Sequence, residues 1–502
     1  MLINAELLLQ YQRCKRRPFL DIHGDYSQRD VPNELLLKLQ QDKSAYRRGI
    51  LAHFTYHKPD YPHGNWEKAH AATLELMQRG VEYIHQGVLL VNYNELAESA
   101  SENIPLSPHY QAYTLLSRPD LLVKQPGQSR FGDWIYVPAN MEMGKRPKQE
   151  YQVTIAFHAQ VLATVQEVPP KTAWLILRSK NFNYPVDLVK WIPQMQQILQ
   201  EFIQVLESSE PPEVFISRQK CSLCHWYSQC YAIAQSQKHL SLLPGVTPLR
   251  YDQLQTLSIT TVESLANTSP TTLENLVGFD NQVAPKLVVQ AQSALSGRPF
   301  ILPNPPPIEN ITFTAPIELY FDIEAQPDLD LNYLLGVLVV NKEANTEEFY
   351  SFLAERPEEE ELIWQQFLNL VWQYPKAPIY HFCVYEFDTV KRLAKLYRTP
   401  NSSVQPVLNR FVDVYEQLIQ SVALPIESYA LKAIARWLGF EWRNKEASGA
   451  KCIYWYDQWL ETGDRTLLEN IQLYNEDDCR ATRRVKDWFV NFVQAAMVYK
   501  LD

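Results

Sequence analysis

Apolar and polar positions along this chain follow two periods, in blocks separated by stretches rich in proline and glycine. Glu318-Leu-Tyr-Phe-Asp-Ile-Glu324 alternates every two residues. That predicts a strand with Asp322 and Glu324 on one face and Phe321 and Ile323 on the other. Leu334-Leu-Gly-Val-Leu-Val-Val340 is apolar throughout, as in a strand covered on both faces. Pro378-Ile-Tyr-His-Phe-Cys383 predicts another strand. A helix opening at Tyr385-Glu-Phe-Asp388 follows it, with Val390, Leu393 and Leu396 inward. Leu473–Thr482 has the helical period, and Tyr474, Asp478, Ala481, Val485 and Trp488 recur along one stripe.

The remaining chain reads more coarsely. Its 502 residues predict two to four domains. Over residues 239–298, Leu242-Leu-Pro-Gly-Val246 and Leu276-Val-Gly-Phe279 punctuate short helical stretches, with a longer helix at Val283–Leu295. This resembles helix-hairpin-helix modules, whose glycine turns aim backbone N–H groups at a phosphate. Prolines from Pro299 to Pro316 predict a semi-rigid linker over residues 299–316. The longest apolar runs fall short of a membrane span, and Met1-Leu-Ile-Asn-Ala-Glu6 lacks the basic flank of a secretory signal. The expectation is a cytoplasmic protein with no membrane partner.

Two carboxylates on one strand face repel each other and lose hydration, and a hard divalent cation removes both penalties. Asp478 adds a third acid on the inward stripe of its helix, where an unpaired carboxylate is costly. Tyr474 lies one turn away. The order D-x-E, then an aromatic–acid pair after a strand, then Tyr-x-x-x-Asp resembles the DEDD exonucleases of the RNase H-like fold, in the tyrosine-bearing subclass. The resemblance covers residues 317–502. It implies a mixed-sheet α/β domain that hydrolyses phosphodiesters 3′→5′ with two Mg²⁺ or Mn²⁺. Asp322, Glu324, Asp478 and a fourth acid would hold the cations, and Tyr474 would orient the attacking water. Glu386 and Asp388 both follow an aromatic residue, and Glu386 is preferred because an apolar residue stands four positions on.

Of the seven cysteines, Cys221-Ser-Leu-Cys224 and Cys230 form a C-x₂-C-x₅-C triplet, with Cys14 as the candidate fourth ligand. A chain expected to be intracellular favours metal ligation over disulfides. One distant cysteine plus this triplet resembles the iron–sulfur staple of RecB-like nucleases, which implies a PD-(D/E)xK-type α/β domain over residues 1–238. It also implies a [4Fe–4S] cluster on Cys14, Cys221, Cys224 and Cys230, with zinc as the alternative. Gly49-Ile-Leu-Ala-His53 fits the G-x₃-H motif, Asp120 the metal-binding aspartate, and Gln152 the glutamine of the following helix. The central motif departs, because Asn140-Met-Glu142 stands where acid-x-Lys is expected. Lys145 lies three residues on and breaks the strand period. The expectation is a degenerate core kept for structure or for holding DNA.

Charge narrows nothing further. Residues 317–502 hold 19 Lys+Arg against 29 Asp+Glu, so the chain's net −10 lies entirely in the part with the proposed cation site. As a whole the chain resembles RecB-like nucleases with a C-terminal RNase H-like exonuclease domain. That implies a nucleic-acid partner, DNA ahead of RNA. The alternative is a nucleic-acid-binding scaffold of a repair complex with both nuclease folds inactive.

Overall fold

The computed structural model describes residues 1–32, 34–99, 113–178, 183–307 and 314–498, so residues 308–313 of the expected linker lie outside it. The chain divides into two units, Met1–Val214 with Arg218–Tyr231, and Phe215–Ser217 with Ala232–Asp502.

In the first unit, α1 (Ala5–Arg13), α2 (Arg16–His23) and α3 (Glu34–Leu51) precede a five-stranded sheet. Its strands β1 (Tyr83–His85), β2 (Leu121–Ser129), β3 (Gly132–Glu142), β4 (Ala173–Leu177) and β5 (Asn183–Val186) lie in that order, antiparallel except for the β3–β4 pair. The crossover between those parallel strands is α4 (Gln149–Gln166). Fourteen of its 18 residues are buried, so it is enclosed all round rather than along one stripe. The cysteine-rich segment, ending in α5 (Tyr227–Ser236), is tied back to α2. One Asp21 oxygen meets His225 Nε2 at 2.6 Å and accepts from Trp226 Nε1 at 2.9 Å. Trp226 packs on Phe19 and Leu20, and a Cβ at Gly24 would stand 2.9 Å from its ring.

The second unit begins with short helices, among them α6 (Pro248–Thr256) and α7 (Val283–Ser296). The two glycine turns read from the sequence adopt left-handed backbone, Gly245 at φ +91 and Gly278 at φ +85. Arg250 donates to both turns, to Gly245 O at 2.7 Å and Gly278 O at 2.8 Å. Gln290 and Ser293 of α7 donate to Leu424 O and Ala423 O, which joins these helices to the domain that follows.

That domain is built on five strands: β6 (Ile317–Gln326), β7 (Leu331–Asn341), β8 (Thr346–Leu353), β9 (Ile379–His381) and β10 (Phe411–Asp413). Their spatial order is β8-β7-β6-β9-β10. The first three pair antiparallel, while β9 and β10 join parallel. Helix α8 (Glu360–Gln373) covers one face and α13 (Arg465–Val498) the other; between them in sequence lie α9 (Tyr385–Leu396), α10 (Val414–Ser421), α11 (Leu431–Trp437) and α12 (Gly449–Thr462). The alternation in β6 decides which residues meet which helix. Phe321 stacks on Phe367 of α8 at 4.5 Å, while Glu318 and Asp322 turn to α13. At the far end of that face the fully buried Glu318 accepts from Lys486 and Lys342 at 2.7 Å each and from the Tyr320 hydroxyl, which pins α13 to the sheet.

Some local expectations change. Asp413 ends β10 and caps α10, accepting from Glu416 N–H, the position an aspartate side chain suits best. The strand expected over Pro378–Cys383 is shorter, because Cys383 turns to φ +77. The aromatic region from Trp437 to Trp459 is largely core. Trp442 and Tyr456 are buried, and Tyr456 stacks on Tyr333 at 3.9 Å. No helix among the described residues is long and apolar enough to cross a membrane.

Candidate metal centre in the C-terminal sheet

The second half of β6 supplies two acids, and a register irregularity after Glu324 marks where its pairing with β7 loosens. In the third and fourth turns of the 34-residue helix α13, Tyr474 and Asp478 face the same point. Among the described residues, Asp322, Glu324 and Asp478 are the group whose ligand oxygens all lie within 4.8 Å of one another.

Glu386 acts on this group electrostatically from a third element. It lies in the first turn of α9, where the helix dipole favours a carboxylate, and it is buried. The charges on Asp322 and Glu324 both feel it. Its Oε2 has no hydrogen-bond partner, though His381 Nδ1 stands 3.6 Å away. Asp388, the competing acid, is exposed on the same helix.

Four carboxylates in so small a volume disturb one another. Burial first, then the neighbouring acids, raise Asp322 and Glu324 well above the usual carboxylate range. Burial pushes Asp478 up to about 7, against hydrogen bonds from Trp442 and Tyr474. Burial also raises Glu386, with His381 opposing. The phenol of Tyr474 lies far above its ordinary value through burial and the charges of Asp478, Glu324 and Asp322, so it keeps its proton. The donor set is all hard oxygen, one atom of it orphaned, which fits Mg²⁺ or Mn²⁺.

Several residues that support this site escaped the sequence reading. Trp442 Nε1 donates to Asp478 Oδ1 at 2.7 Å, and Asn475 Nδ2 donates to Asp322 Oδ2 at 2.7 Å. Lys432 lies over the rings of Trp442 and Tyr474, within the field of Asp478 and Glu324, and donates to Ala447 O. Asp413 also accepts from Cys383 N–H at 3.1 Å, which holds the turn before α9. The one signal in the sequence was Gly336, a residue with no side chain inside an apolar strand, which marks a close approach.

In the first unit, Asp120 just before β2 comes together with Asn140 and Glu142 of β3, but a cation of the chain's own is already present. Arg47 lies 3.1 Å from both Asp120 oxygens. Met141 N–H donates to the same carboxylate at 2.7 Å, and Asp120 N–H donates to Asn140 Oδ1 at 3.3 Å. Burial holds the Glu142 carboxyl above its usual range. His53 is exposed past the end of α3, Gln152 turns to Pro147 O, and Lys145 is exposed.

Of the four cysteines, Cys14 caps the end of α1, and Cys14, Cys224 and Cys230 are close enough to feel one another's charge. Burial, more than these neighbours, pushes Cys230 up to about 11 and raises Cys224. Among the described residues, no three of these sulfurs form a group as tight as the carboxylates.

No curated protein matches the chain. A family model described as RNase H superfamily matches residues 319–490, which takes in β6, β9, α9 and the acid-bearing part of α13. The C-terminal sheet with its carboxylate cluster is therefore an RNase H-like domain, a fold that carries metal-dependent nuclease chemistry on nucleic acid.

Proposed function

We propose that the chain is a nuclease that releases nucleotides 3′→5′ from nucleic acid, DNA ahead of RNA, at the carboxylate site of its C-terminal domain. The observation that carries this reading is the convergence of Asp322, Glu324 and Asp478 within 4.8 Å. With Glu386 as fourth acid they would hold two Mg²⁺ or Mn²⁺. When bound, the cations supply the positive charge that an in-line displacement needs at both reacting oxygens. The chain's own groups do the rest. Trp442 and Asn475 fix the carboxylates on α13 and β6. Tyr474, still protonated, orients the attacking water rather than deprotonating it. The test is incubation of purified protein with end-labelled single- and double-stranded DNA and RNA plus Mg²⁺ or Mn²⁺. Stepwise loss from the 3′ end is expected. Substrates left intact under every condition would favour a binding scaffold instead.

The first unit is read as a degenerate RecB-like core. Arg47 supplies at Asp120 the positive charge that a cation would otherwise bring, and Asn140 and Glu142 replace acid and lysine. Asp120→Ala should therefore keep most nuclease activity, measured as initial rate on the preferred substrate. A loss as large as that from Asp322→Ala would make this core catalytic.

Cys14, Cys221, Cys224 and Cys230 are read as ligands of a [4Fe–4S] cluster. What supports this reading is the sequence pattern, Cys14 far from the C-x₂-C-x₅-C triplet of Cys221, Cys224 and Cys230, with zinc as the alternative. Buried thiols with raised pKa values gain most from such a cation-rich partner. Protein purified under argon should be brown and contain iron, and Cys224→Ser should bleach it. Colourless protein with stoichiometric zinc would overturn the assignment.

A further inference from the structure

Gly336 stands directly opposite Asp322 in the β6–β7 ladder, between the large apolar residues Leu334, Leu335, Val337 and Leu338. The space its missing side chain leaves is not empty. Asn475 from α13 reaches across it, so a Cβ at 336 would collide with Asn475 Oδ1 and lie 2.8 Å from its Cγ. Asn475 is fully buried, its Nδ2 donates to Asp322 Oδ2 at 2.7 Å, and its Oδ1 has no hydrogen-bond partner. Cys479, one turn on, donates weakly to Gly336 O at 3.6 Å and holds helix and strand at this separation. A buried amide with one unmet oxygen is costly, so a packing role alone is better filled by an apolar residue.

We infer that Asn475 is a positioning residue. It engages one oxygen of Asp322 and so presents the other to the cation position shared with Glu324 and Asp478, and Gly336 is the vacancy that admits it. The inference rests on the proposed metal-dependent reading of this site. Partners that orient a ligating carboxylate typically contribute 10–100-fold to metal affinity or activity.

The experiment measures Mn²⁺ affinity of substrate-free full-length protein by titration, with cleavage rate and melting temperature alongside. Asn475→Leu keeps the shape of the side chain and removes its donor. It should weaken Mn²⁺ binding by about 10–100-fold and lower the rate, while the metal-free melting temperature is held or raised. Gly336→Ala should weaken Mn²⁺ binding as Asn475→Leu does, because it evicts the amide. In an Asn475→Ala background, where the colliding atoms are gone, adding Gly336→Ala should cost nothing more. Wild-type Mn²⁺ affinity in Asn475→Leu, or additive losses in the double variant, would overturn the inference. Absence of Mn²⁺ binding by the wild-type protein would instead overturn the reading beneath it.

Discussion

Asp322→Ala should abolish measurable Mn²⁺ binding and lower cleavage by about 10³-fold, the scale on which loss of a charge-stabilising group acts in a closed site. The side chain is both a ligand and a charge that offsets the cation, so affinity and rate should fall together. Glu386→Gln should behave the same way, and Asp388→Asn should not, because Glu386 is buried against the cluster while Asp388 is exposed. The metal-free domain has a pH signature as well. Asp322, Glu324 and Asp478 have raised pKa values, that of Asp478 at about 7. The folded domain therefore holds protons that the unfolded chain releases near pH 4. The stability this contributes is full below about pH 4 and is lost as pH rises through the folded values. Mn²⁺ takes the place of those protons. Its gain in melting temperature should be larger at pH 7.5 than at pH 5, and Asp322→Ala should flatten the difference. An unchanged Mn²⁺ gain in that variant would remove Asp322 from the site.

The parts of this site that were legible in the sequence are those where function coincides with a period. Asp322 and Glu324 share a strand face because the side-chain repeat is two, and Tyr474 and Asp478 share a helix stripe because they are four apart. The same arithmetic placed Gly336 inside a covered strand. It could not say which side chain fills the gap, because Asn475 lies 139 positions away and off the stripe that carries its neighbours. Glu386 was preferred over Asp388 by spacing alone for a related reason. Both lie in the first turn of α9, and the choice depends on the left-handed turn at Cys383, which no local propensity predicts for a cysteine. Arg47 is the clearest omission in the first unit. One of two adjacent arginines in an exposed-looking helix, it gave no sign that it would meet Asp120, 73 positions on. Asp413 was hidden too, because a strand of three residues is too short to show a period.

Tyr474→Phe separates the water-orienting role from metal binding. The phenol loses only its hydroxyl, and the ring stays in the α13 stripe beneath Lys432. All four carboxylates remain, so Mn²⁺ affinity should stay near wild type. Asp478 loses one hydrogen bond but keeps Trp442 Nε1 at 2.7 Å, which limits its movement. Burial and the neighbouring acids raise the Tyr474 phenol far above its ordinary value, so in the proposed role the hydroxyl would act as an oriented donor and not as a titrating base. Its loss should lower the rate by about 10²–10⁴-fold, the span over which positioned proton-handling groups act. The pH dependence of the residual rate should keep its wild-type shape, because no titrating group has been removed. A shape change would make the hydroxyl a base. Wild-type cleavage by Tyr474→Phe at saturating Mn²⁺ would make Tyr474 a packing residue and leave the carboxylates to orient water alone, without the tyrosine that marks the subclass.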